Sequence, residues 1–212
     1  EALRKGFIQE MIKETARSRD MNIATRREVL LGTNQYPDSS ETIHEDFNPE
    51  IAFDTNEDLK ETEFEKFEKY RGAMSFEDLR LKVERSGNIP VVFLLTYGNP
   101  VWRKARAGFA SGFFACAGHN IIDNMGFESI EEGMKAAKGA NADIIVLCSS
   151  DEEYPEIVPE AVKMKEDAIL VIAGYPKDSI EKLKEEGIEH FIHMRSNVLD
   201  ELKSFNARLG IK

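Results

Sequence analysis

The 212-residue chain is 42% hydrophobic and 32% charged and carries a formal net charge of −11 at pH 7. That balance suits a folded globular protein and argues against a nucleic-acid surface, which needs clustered Lys and Arg. No apolar run approaches the roughly 20 residues of a membrane span, so no membrane partner is expected.

Leu3, Phe7, Ile8, Met11 and Ile12 recur at helical spacing and predict an amphipathic helix over 2–18. Arg26 to Pro37 reads as a short strand-like run closed by turn residues. A lone helix and a lone strand bury too little surface to stand by themselves, so 1–37 is expected to belong to a larger body. Between 38 and 69, twelve acidic side chains face three lysines, and Phe47, Ile51, Phe53 and Leu59 follow no helical or strand period. This stretch reads as an extended acidic connector laid across a surface. Glu63–Tyr70 and Ser75–Arg85 are helical by composition. Ser75 and Asp78 resemble an N-cap and a first-turn acid, and Gly87 stops the second helix, so 38–87 forms one linking region.

From residue 88 the pattern becomes regular. Apolar runs at Val91–Leu95, Ile121–Ile122, Ile144–Leu147, Ile169–Ile172 and His190–Ile192 alternate with helical segments near 102–117, 129–138, 155–165, 178–186 and 197–207. Runs without polar alternation suit strands covered on both faces, and strands alternating with helices imply right-handed βαβ units. The region 88–212 is therefore read as a flavodoxin-like α/β domain, a five-stranded parallel sheet with helices on both faces. Gly118, Gly139 and Gly187 fall where helix-ending glycines belong.

In such sheets ligands sit beyond the carboxyl ends of the strands, which directs attention to Thr96–Trp102, Ser149–Glu153 and Ala173–Pro176. Ser149-Ser150-Asp151-Glu152-Glu153 could contact a ligand, but capping the helix that begins near Tyr154 is the weightier reading. Arg103, Lys104 and Arg106 could attract an anion or pair with the acidic connector, with surface solvation preferred. The four histidines, His44, His119, His190 and His193, stand at no metal-ligand spacing. No G-x-S-x-G, G-x-G-x-x-G or G-x-x-x-x-G-K-[ST] follows any strand, so no catalytic residue and no metal ligand is named. Cys116 and Cys148 are isolated and no signal-peptide pattern is present, which predicts a reduced cytoplasmic setting.

Val91 to Leu209 resembles the carboxyl-terminal cobalamin-binding domain of the methylmalonyl-CoA mutase family. Arg26-Arg27 and Leu31-Gly-Thr-Asn-Gln-Tyr36 look like the closing segment of that family's CoA-binding barrel, which would make 1–37 the end of the barrel region. The resemblance implies isomerisation of methylmalonyl-CoA and succinyl-CoA by an adenosylcobalamin holoenzyme. The family's active domain carries Asp-x-His-x-x-Gly after the first strand, the His ligating cobalt, with a Ser after the third strand and Gly-Gly after the fourth. Here the first loop reads Thr96-Tyr-Gly-Asn-Pro-Val-Trp102 and holds no His, Ser149 or Ser150 matches the Ser, and Ala173-Gly174 keeps half of the Gly-Gly. Tyr97, Gly98, Asn99, Ser149, Ser150 and Gly174 are thus the positions of a degenerate cofactor site. By resemblance the chain is a scaffold and interface component that binds no cobalamin itself, and its partner is the methylmalonyl-CoA mutase large subunit, which holds the coenzyme. Two alternatives stay open: a domain that binds corrinoid without a lower His ligand, and a free-standing flavodoxin-like binding or signalling module.

Overall fold

A computed structural model describes residues 1–42, 65, 67 and 69–211. In chain order it comprises α1 (Phe7–Ala24), α2 (Met74–Arg85), β1 (Val91–Thr96), α3 (Pro100–Phe114), β2 (Asn120–Ile122), α4 (Ile130–Gly139), β3 (Ile144–Cys148), α5 (Tyr154–Met164), β4 (Ile169–Ala173), α6 (Ile180–Glu185), β5 (His190–Ile192) and α7 (Val198–Arg208). The strands form one sheet in the order β2-β1-β3-β4-β5, and every pairing is parallel. This is the flavodoxin-like order: the chain steps from β1 to β2 on one side and then crosses to β3 on the other.

Alternation along each strand sends successive side chains to opposite faces, and both faces are filled. Val92, Leu94, Ile144, Val146 and Val171 pack with Phe113 and Phe114 of α3 and with Leu202 and Phe205 of α7. Phe93, Leu95, Ile145, Leu147 and Ile172 pack with Met134 of α4, Tyr154 and Val158 of α5, and Leu183 of α6. Burial on both sides explains the unbroken apolar sequence of β1 and β3.

The amino-terminal segment departs from its sequence reading. The helix runs past residue 18 to Ala24 because nothing in Ser18-Arg19-Asp20 stops it. Its buried end is Ile23-Ala24, which joins the core beside Phe76 and Leu79 of α2. Phe7, Ile8, Met11 and Ile12 are exposed. Arg26–Pro37 forms turns with one isolated bridge, Leu31 to Gln35, instead of a strand. The fully buried Asn34 side chain takes over the backbone there. Its Nδ2 donates to the carbonyls of Ile23 and Glu28 at 2.8 and 2.9 Å, and its Oδ1 accepts the Leu30 N–H at 2.8 Å. A short amide side chain that satisfies main-chain groups in this way competes with a ladder. Arg26 fastens the segment to α3, donating to the Gly112 carbonyl at 3.0 Å beside the Phe109 and Phe113 rings.

Ser75 lies inside the first turn of α2 and does not cap it; the N-cap is Ala73. Most of the acidic connector, with His44 and its four apolar residues, lies outside the described residues. Its first residues contact α2, where Arg80 donates to the carbonyls of Asp38 and Glu41. Of Glu63–Tyr70, the described residues Glu65, Phe67, Lys69 and Tyr70 are not helical.

Gly118 does end a helical stretch in the left-handed conformation and sends His119 into the core, where its Nε2 lies 2.9 Å from Asn206 Oδ1. Burial lowers the pKa of His119 from 6.5 to about 4, against a smaller opposing effect of the Asn206 hydrogen bond. Because the folded value lies below the unfolded one, protonation favours the unfolded chain. The stability held by neutral His119 is complete above pH ~6.5 and is lost as pH falls toward 4, a change of roughly 3 kcal/mol. Urea unfolding of the wild type and of His119→Gln at pH 7 and pH 4 isolates this part, since the carboxylates and the other histidines contribute equally to both. The wild type is expected to lose about 3 kcal/mol more than the variant; parallel losses would refute the assignment.

Candidate functional site

The crevice at the carboxyl ends of β1, β3 and β4 brings together all six positions that the sequence singles out. β1 ends at Thr96, and Tyr97 extends its pairing by donating its N–H to the Cys148 carbonyl at 3.1 Å. Gly98 follows with φ 73, a conformation that favours glycine. Asn99 caps α3 by accepting the Val101 N–H at 3.0 Å, and Pro100 occupies the first helical position, where a missing N–H costs nothing. Ser149 and Ser150 leave β3 buried, and Gly174 leaves β4 buried.

Glu153 occupies the space between the first two loops. One of its carboxylate oxygens accepts the Asn99 N–H at 3.2 Å, and the other accepts the Ser150 N–H at 3.1 Å and is in contact with the Ser149 hydroxyl. A Cβ built on Gly98 would lie 2.1 Å from the Glu153 carboxylate, so the space beside that glycine is already filled. Burial pushes the Glu153 pKa up, but hydrogen bonds from Ser149, Ser150 and Asn99 outweigh it and hold the carboxyl below its ordinary value. The expected capping role of this stretch is met in part, since the Glu153 carboxylate reaches back to the Ser150 N–H as in one half of a capping box. Glu153 is the N-cap residue of α5 but makes no side-chain cap bond, and the Ser149 hydroxyl also reaches the Tyr97 carbonyl at 3.0 Å.

A second closure lies over β4. Arg106 and Asp151 pair at 2.8 Å, and a Cβ on Gly174 would stand 3.2 Å from each. Arg103 donates to the carbonyls of Gly98 at 3.3 Å and Met125 at 3.0 Å, tying the loop after β1 to the loop after β2. Two of the three basic residues read as solvated are therefore structural, because an arginine has enough donors to bridge neighbouring loops. Beneath the crevice the fully buried Tyr154 hydroxyl donates to the Ala173 carbonyl at 2.9 Å and accepts the Ser149 N–H at 3.2 Å.

Sequence reasoning named Glu153 and Arg106 without the contacts they make, and it missed Tyr154. A carboxylate just before a helix reads as a cap, and nothing local signals a partner 54 positions away. Among the described residues no group of three or more His, Cys, Asp and Glu could hold a metal ion. Cys116 and Cys148 are free and buried, and His193 lies against the Tyr175 ring. No described helix is long and apolar enough to cross a membrane.

The family model for methylmalonyl-CoA mutase matches residues 1–86. The methylmalonyl-CoA mutase small subunit of Porphyromonas gingivalis is 43% identical over all of this chain and 34% of its own length. The small subunit of Streptomyces virginiae is 29% identical over 82% of this chain and 28% of its own length. The chain thus spans about a third of the length of the curated relatives it matches. A cobalamin-binding protein from Desulfitobacterium hafniense DCB-2 aligns with a TM-score of 0.43 at 15% identity, over 64% of this chain and 68% of its own. The fold stands on the sheet order and not on that likeness. With the family model covering its amino-terminal region and a relative aligned along its whole length, the chain belongs to the methylmalonyl-CoA mutase family.

Proposed function

We propose that this chain is part of the non-catalytic subunit of a cytoplasmic, adenosylcobalamin-dependent methylmalonyl-CoA mutase, serving as scaffold and as interface to a large subunit that holds the coenzyme. In this reading Tyr97, Gly98, Asn99, Ser149, Ser150 and Gly174 are the remains of a cofactor cradle. The observation that carries it is the Glu153 carboxylate seated beside Gly98, where an incoming group would need the space and the donors. The donor set agrees, since the loop Thr96–Trp102 holds no imidazole nitrogen to offer a metal. The residues present do not fit a corrinoid, so the radical chemistry falls to the companion subunit.

Co-expression with a large subunit that carries an intact Asp-x-His-x-x-Gly tests the proposal. The two chains should co-purify with one corrin per pair, and mutase activity should require the large subunit's histidine. Two corrins per pair, or no association, would overturn it.

A further inference from the structure

The donors around Glu153 converge from two loops that are distant in sequence. The Asn99 N–H comes from the loop after β1, and the Ser150 N–H and Ser149 hydroxyl come from the loop after β3. They meet at the point where the strand order reverses, the usual entrance for a ligand in this fold. We infer that these three groups form a carboxylate-binding site whose ligand is the chain's own Glu153, a tethered plug that closes the crevice to any outside ligand. A hydrogen bond to an ionised acceptor is roughly twice as strong as one between neutral groups, so the single Ser149 proton is drawn to Glu153 in preference to the Tyr97 carbonyl. Gly98 completes the site, since any side chain there would strike the carboxylate. The depressed pKa of Glu153 agrees with an anion held by donors. The inference does not depend on the mutase assignment: the plug is a property of this chain alone, and co-purification experiments leave it untouched.

Two measurements test it. In the wild type, the amide resonances of Asn99 and Ser150 should titrate together, with a common midpoint below the ordinary glutamate value of 4.5. Glu153→Ala removes the equivalent of one acetate. Its Tm should fall by on the order of 5 °C. Acetate at about 0.1 M should recover at least half of that loss by binding the folded form, relative to chloride at equal ionic strength. The wild type and Glu153→Gln, whose cradles are filled, should not respond to acetate. If the two amides fail to titrate together, or if acetate stabilises Glu153→Ala no more than chloride does, the inference fails. The wild-type titration decides the matter even where Glu153→Ala does not fold.

Discussion

Tyr154→Ala is expected to lose about 3–5 kcal/mol of stability, the range for removing a large buried ring. The ring is fully buried on the α4, α5 and α6 side of the sheet, among Leu147, Ile172 and their neighbours. Its hydroxyl joins the ends of two adjacent strands by bonding the Ala173 carbonyl and the Ser149 N–H. Burial raises its pKa above the usual tyrosine value, so it remains a neutral donor throughout the ordinary pH range. Tyr154→Phe keeps the ring and leaves the Ser149 N–H and the Ala173 carbonyl without their partner. It should cost about 1–3 kcal/mol, the penalty for buried polar groups left unsatisfied. Denaturant unfolding of both variants separates packing from hydrogen bonding. A phenylalanine variant as stable as the wild type would show that the hydroxyl does not tie the loops after β3 and β4.

The second large effect is local. Asn34→Ala should release residues 26–36 while the sheet stays folded. Three main-chain groups, from Ile23, Glu28 and Leu30, depend on one fully buried amide. Losing it costs about 3 kcal/mol on the scale of buried hydrogen bonds. Protection of those amides from hydrogen exchange should fall by about a hundredfold, since local openings follow the local free energy. The amides of Val92–Leu95 should change little, because β1 is held by its own pairings with β2 and β3. Unchanged protection at 26–36, or an equal loss in β1, would contradict the local role given to Asn34.

These two residues mark the limit of what the sequence makes legible. The strands of the α/β domain can be read directly, because burial on both faces leaves runs such as Val92–Leu95 with no polar interruption. The glycine after the helical turn at Ala117 is equally plain, since only a left-handed residue closes that turn so readily. Contacts made by single polar side chains are not legible. Val29-Leu30-Leu31 has strand composition, yet Asn34 folds it into turns. Glu153 has the position of a cap, yet it crosses to Asn99, and Arg106 has the look of a solvated base, yet it holds Asp151 over Gly174. The first helix shows the same limit in reverse. Its apolar stripe at Phe7, Ile8, Met11 and Ile12 is exposed, and the residues that anchor it, Ile23 and Ala24, lie beyond the part with the clearest periodicity.

The candidate site was visible as a place and not as an arrangement. The loops after β1, β3 and β4 follow from topology alone. That they are filled by Glu153 and by the Arg106–Asp151 pair depends on distances no linear pattern encodes. Equilibrium dialysis of the purified chain against adenosylcobalamin tests this self-filled crevice most directly. Equal corrin on both sides of the membrane and an unchanged visible spectrum are expected, whereas saturable one-to-one retention of corrin by the chain would show that the crevice is open to the cofactor.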